Sequence, residues 1–165
     1  MSAARATRAA ALAGLFRRDV RGASAIEFAI VALPFFAFVL SILQVGIYYM
    51  TQASLDAGVI RSADALRNGF AQSTAPVMPD AATLKGNVAT LSGGMINNDA
   101  TLAVEIRQLS SLAAGSVAVT DGTADYGSAR SALVLRAEAS VVTFAPGFSS
   151  LAKAASSAIV RRQGR

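Results

Sequence analysis

Glu27 is the acid that stands against the apolar part of this chain. From Phe28 to Leu55 run 28 residues without Asp, Glu, Lys or Arg, and Glu27 borders that run, four residues after Ala23 and five after Gly22. A carboxylate left alone at an apolar boundary is costly, so the chemistry open to it is charge pairing. The partner could lie one helical turn away in the same chain or on a neighbouring chain. A simple membrane anchor has no need of an acid there. Other acids invite different chemistry. Asp121 and Asp125, with Gly122 and Gly127, suggest a calcium loop, but such a loop needs a bidentate Glu within about 12 residues, and Glu138 is too far away. Tight-turn chemistry explains them better. Glu105 and Glu138 alternate with apolar neighbours beside Arg107 and Arg136, a pattern that predicts a solvent-facing cross-strand ion pair rather than the paired carboxylates of a hydrolase.

The chain has no histidine and no cysteine. Imidazole-based acid–base work, thiolate nucleophiles, thiolate metal sites and disulfides are therefore excluded. There is no glycine-rich phosphate loop and no nucleophile elbow. The reading is a non-enzymatic structural subunit with no cofactor and no metal. The net charge of +5 raises the question of nucleic acid. It is answered by where the charge sits: five arginines (Arg5, Arg8, Arg17, Arg18, Arg21) against Asp19 in the first 22 residues, then ten basic and nine acidic side chains in the remaining 143. A basic tip beside an apolar run is a topology signal rather than a phosphate-binding face, so no nucleic-acid partner is expected.

At about 1.5 Å per residue, Phe28 to Met50 makes a helix of roughly 35 Å, enough to cross a hydrocarbon core of about 30 Å. The reading divides the chain into a basic leader (1–22), a transmembrane helix (23–50) in contact with membrane lipid, and an exported head (51–165). Arginine crowding places the N-terminus on the cytoplasmic side and the head across the membrane. Pro34 lacks an N–H and is expected to kink or loosen the helix near Ile30. Gly46 and Ser41 are small enough to admit a neighbouring helix, and Tyr48 and Tyr49 fall where an interfacial aromatic belt belongs. Beyond the span, Leu55, Val59, Ala63, Leu66 and Phe70 recur at steps of three or four, predicting that the helix continues to about residue 70 with one buried stripe. Asn68-Gly69 is a plausible stop, and Ala75-Pro76 to Pro79 a loop. Pro79-Asp80 opens a second helix, about 80–92, closed by Ser92-Gly93-Gly94. Alternation then predicts antiparallel strands within about 101–162: around Leu102–Arg107, a short one at Val117-Ala118-Val119, the strongest through Leu133–Val142, and a last one near Ala155–Arg162. Pro146-Gly147 breaks the third. The expected fold class is α+β, a long N-terminal helix followed by a small antiparallel sheet, pilin-like.

The run Gly22-Ala23-Ser24-Ala25-Ile26-Glu27-Phe28-Ala29, after a short basic leader and before a long apolar helix with Pro34 and Gly46, resembles the cleavage region of type IV prepilins. More narrowly, with the stretch as far as Arg61, it is similar to the TadE-like family of minor pilins or pseudopilins of the tight-adherence (Flp) pilus system. Pro146-Gly147-Phe148 and the tail to Arg161-Arg162 are a weaker echo, and Gln44 departs from the acid expected in many relatives. The resemblance implies cutting by a prepilin peptidase between Gly22 and Ala23, read from an extended backbone before the helix. It implies that Glu27, followed by Phe28, pairs with the new Ala23 amine of an adjacent subunit. It also implies partnership with other pilin and minor pilin subunits and with an inner-membrane assembly platform, in a bacterial inner membrane or a surface pilus engaged in adhesion. Two other readings stand beside it: an uncleaved single-span envelope protein with a periplasmic binding head, and a soluble exported protein cut near Ala53.

Overall fold

The computed structural model of the 165-residue chain describes residues 20–72, 78–96, 101–109, 117–128, 130–144 and 147–162. Most of the basic leader, the Ala75-Pro76 loop, Pro146 and the side chain of Phe70 lie outside the described residues. The first element, α1, runs from Val20 to Gln72 and includes Pro34. Its helical assignment continues through the proline and ends past Asn68-Gly69. Two compact units divide the chain between Ile42 and Leu43.

In the first unit the apolar side chains face outward. Ile26, Phe28, Ile30, Val31, Leu33, Phe35, Phe36 and Phe38 are all more than half exposed. Local contacts are few: Phe35 and Phe36 meet edge to face at 5.6 Å, and the Ser41 hydroxyl donates back to the Ala37 carbonyl at 2.8 Å.

The second unit buries what the first leaves outside. Helix α2 spans Ala81–Leu91, and the Asp80 side chain caps it by accepting the Thr83 N–H at 2.9 Å. Ser92 closes the helix with its N–H on the Val88 carbonyl at 3.0 Å, and Gly93 and Gly94 then take left-handed φ values of 78° and 81°, which suit glycine. A four-stranded sheet follows, formed by β1 (Leu102–Gln108), β2 (Thr123–Ala124), β3 (Ala132–Ser140) and β4 (Lys153–Arg161), in the order β2-β1-β3-β4. Val104 faces Ala137 across β1 and β3, and Leu135 faces Ala158 across β3 and β4, both antiparallel. One face of the sheet carries Leu102, Val104, Ile106, Leu133, Leu135, Ala137, Ala139, Ala154 and Val160 into a core with Leu55, Val59, Ala63 and Leu66 of α1 and Leu84 and Val88 of α2. Every third or fourth residue of α1 from Leu55 onward thus reaches the core, the period of a helix lying on a sheet.

Two features differ from the sequence reading. The sheet is mixed, because β2 pairs parallel with β1. The cause is local: Asp121 accepts the Val104 N–H at 3.0 Å, and Gly122 and Asp125 donate to the Val104 and Ile106 carbonyls at 3.2 and 2.9 Å, so the turn lays the chain back alongside β1. And Val117-Ala118-Val119 is not a strand. Its anchors are side chains of the sheet's other face, with Arg136 donating to the Val117 carbonyl and Glu105 accepting the Thr120 N–H at 2.8 Å. Alternating apolar residues describe any extended segment; a ladder partner is what makes a strand.

Candidate functional site

The residues singled out at the head of the span all lie on α1. Gly22 is helical, not extended, and a Cβ there would meet nothing within 4 Å. Nothing in Arg21-Gly22-Ala23-Ser24 forbids the helix: arginine and alanine favour it, and glycine costs about 1 kcal/mol relative to alanine. The side chain of Ala23 lies outside the described residues. Glu27 and Phe28 are exposed, and no hydrogen bond or ion pair of Glu27 occurs among the described residues. Pro34 is exposed seven residues on. These positions share one helix. They present one carboxylate beside a broad apolar surface. The helical stretch from Ser24 to Gly69 contains a segment apolar and long enough to cross a membrane, with none of that segment buried.

Polar residues farther along α1 turn inward, and the sequence reading missed most of them. Gln44, noted only as a departure, is fully buried. Its amide donates to the Val142 carbonyl at 3.0 Å and accepts the Phe144 N–H at 3.0 Å, closing both backbone groups with one side chain. Two turns on, Gln52 repeats the clasp on Ala155 of β4, donating to its carbonyl at 2.8 Å and accepting its N–H at 3.3 Å. Arg61 donates to the Leu91 carbonyl at 3.2 Å, where a cation suits the C-terminal end of α2. Arg67 donates to the Ile159 carbonyl at 2.5 Å. Gly58 lies at a close approach of α1 to α2, since a Cβ there would stand 2.6 Å from the Val88 carbonyl oxygen. A side chain with both a donor and an acceptor inside an apolar stretch was the available signal for Gln44 and Gln52.

The sheet acids part company. Glu105 does sit opposite Arg136 across the strands, but it is fully buried, not solvent-facing. It accepts from Arg136 and Arg107, each at 2.9 Å, and from the Thr120 N–H. Covering the sheet's second face with residues 117–120 buries an acid that the alternation placed in water. Glu138 pairs with Lys153 nearer solvent. Asp121 joins Lys85 of α2 at 2.8 Å, and that ammonium, with the Val104 N–H behind it, holds the carboxyl below the usual range. Asp125 accepts the Gly127 N–H at 2.9 Å, a turn contact. Tyr126 donates to the Pro79 carbonyl at 2.7 Å, and burial pushes its phenol up to about 12.

Residues 22–64 match the family model described as TadE-like protein. No curated protein and no solved structure matches the chain. The matched segment begins at Gly22, takes in the whole exposed apolar stretch and ends within the stripe that enters the core. The family is associated with the tight-adherence pilus and is not a family of enzymes. From Gly22 to Asp64, about a quarter of its length, this chain is similar to the TadE-like family.

Proposed function

We propose that the protein is a minor pilin or pseudopilin of a tight-adherence pilus. It is inserted with the basic leader cytoplasmic and the head periplasmic, and is cut by a prepilin peptidase between Gly22 and Ala23. The observation that carries this is Glu27: an acid with no partner among the described residues, four residues beyond the cut, heading an apolar surface that its own chain leaves uncovered. Cutting creates an α-amine at Ala23 that is mostly charged at neutral pH, since such amines have a pKa of about 8. In an apolar environment that amine and Glu27 each need an opposite charge. Staggering subunits along their apolar helices brings the Glu27 of one against the Ala23 amine of the next, while other pilin subunits and the inner-membrane assembly platform cover the remaining apolar surface.

Intact-mass measurement on membrane and sheared-surface fractions tests the reading. The expected mature N-terminus is Ala23; Met1 or Ser2 would favour the uncleaved envelope protein, and Ser54 a soluble exported one. Gly22→Val should leave the full-length form in the membrane. Glu27→Leu should still be trimmed to Ala23 and stay in the membrane, yet be lost from sheared filaments. Normal assembly of the Glu27→Leu protein would remove the pairing mechanism, and trimming of the Gly22→Val protein to Ala23 would remove the cleavage assignment.

A further inference from the structure

Strand β4 is the outer strand of the sheet, paired with β3 on one side and with no other strand among the described residues. Two side chains of α1 show which of its backbone groups turn outward. Gln52 bonds both the N–H and the C=O of Ala155, and Arg67 bonds the C=O of Ile159. The groups facing away from β3 are therefore those of Ala155 and Ile159 and, by the period of two, of Lys153, Ser157 and Arg161. All five residues are exposed. An open edge of this kind is a template for the addition of another strand. Both contacts on it are held in place from α1. The Gln52 amide offers Ala155 a donor and an acceptor, the pair of bonds that a residue of an antiparallel neighbour would exchange with it. Its nitrogen also donates to Asp56 at 3.1 Å, which fixes the end of the amide that meets each group. Asp64 holds Arg67 in the same way at 2.7 Å, one turn back. Ser157 lies between the two contacts, and no bond to its outward N–H or C=O occurs among the described residues.

We infer that Gln52 and Arg67 close the β4 edge against a second copy of this chain, and that removing them turns the edge into an interface between two β4 strands. The occupant follows from the strand's own pattern. An antiparallel pair centred on Ser157 sets Ser157 opposite Ser157 and Ala155 opposite Ile159 in both halves, and each of these residues turns its N–H and C=O toward the other copy. From Ala154 to Val160 the strand carries no charge and no side chain larger than isoleucine, so nothing at the centre opposes the pairing. At the ends Lys153 faces Arg161 of the other copy, and Glu138 already neutralises Lys153. Gln52 and Arg67 stand on the two positions that flank the centre. A second β4 reaches Ser157 only by displacing both. The edge is thus self-complementary in sequence and is kept shut by two side chains, each oriented by an acid of its own helix.

Closure of the edge is independent of the cut and of any pilus, and the full-length protein in detergent tests it. Sedimentation velocity over a dilution series compares the parent with Gln52→Ala/Arg67→Ala and with the same pair plus Ser157→Pro. Proline removes the outward N–H at the centre of the pair and is tolerated where an edge N–H faces solvent. Contacts made through the exposed apolar helix are common to all three proteins, so the differences between them report the edge. The Gln52→Ala/Arg67→Ala protein should self-associate about tenfold or more tightly than the parent, the effect of one or two net backbone hydrogen bonds, and gain the infrared amide band of intermolecular sheet. Adding Ser157→Pro should return association to that of the parent without raising the denaturation midpoint. A folded Gln52→Ala/Arg67→Ala protein that associates no more than the parent overturns the inference, as does association that survives Ser157→Pro. If the double substitution unfolds the head, Gln52→Ala and Asp56→Ala alone take its place. Each should associate more than the parent by a smaller factor, again reversed by Ser157→Pro, and the absence of that gain or of its reversal likewise overturns the inference.

Discussion

The two halves of α1 use the same residue types to opposite ends. Between Ile26 and Phe38 the large apolar side chains are exposed, whereas from Leu55 to Leu66 one residue in every three or four is buried against α2 and the sheet. Polar groups divide in the same way. Gln44, Gln52, Arg61 and Arg67 all find partners within their own chain, while Glu27 finds none among the described residues. A helix whose apolar face is satisfied internally contributes to folding; one whose apolar surface is not must be completed by lipid or by other chains. On the proposed function, folding and assembly are written on successive stretches of one helix. Substitutions in the head should change stability, and those near Glu27 should change assembly alone.

Glu105 gives that contrast its largest expected effect. Its carboxylate is fully buried among Arg107, Arg136 and the Thr120 N–H, and removing one partner of a buried ion pair costs about 3–5 kcal/mol. Glu105→Ala should lower the denaturation midpoint of the head steeply while membrane insertion is unchanged. Glu27→Ala should leave that midpoint where it is. Urea denaturation in detergent followed by circular dichroism measures both, and equal losses would erase the distinction.

Two glycines on α1 sharpen it further. Valine at Gly58 must displace the Val88 carbonyl, a backbone atom that cannot swing aside, so Gly58→Val should cost about 1–3 kcal/mol or more. Gly46 has nothing within 4 Å of its Cβ position, so Gly46→Val should leave folding within about 0.5 kcal/mol of the parent. If Gly46→Val nevertheless reduces piliation, the small residue serves a neighbouring helix rather than its own head.

The sequence disclosed these elements unevenly, for physical reasons. The long helix, its stripe at Leu55, Val59, Ala63 and Leu66, and the alternation in Leu102–Arg107 and Leu133–Val142 follow from periodicity, which reports the face an element turns toward apolar surroundings. The α+β class follows from them. Periodicity is blind to side chains that bond to distant backbone, so Gln52 and the close approach at Gly58 went unseen. It also assigns faces without knowing what covers them: the alternation puts Glu105 in a solvent-facing cross-strand ion pair, yet residues 117–120 close over it. The parallel pairing of β2 depends on three hydrogen bonds around Asp121, and no hydropathy pattern encodes those.

Asp121 carries the smallest predicted effect. It ties α2 to the sheet by accepting from Lys85 and from the Val104 N–H, and the Lys85 contact is the main reason its pKa is lowered in the fold. For a carboxyl with a folded pKa below its unfolded value of about 4, the contribution is fully present above that value and is lost as pH falls through the folded one. The side chain is half exposed, so solvent screening limits the contribution to at most about 1 kcal/mol. Asp121→Asn keeps an oxygen for the Val104 N–H but loses the charge facing Lys85. The stability gap between parent and Asp121→Asn should be greatest at neutral pH, shrink below about pH 4, and narrow with added salt at pH 7. Denaturation midpoints across that range measure the gap. A gap that held constant into acid would mean that Asp121 serves the turn through geometry alone, with the charge of Lys85 spent on solvent.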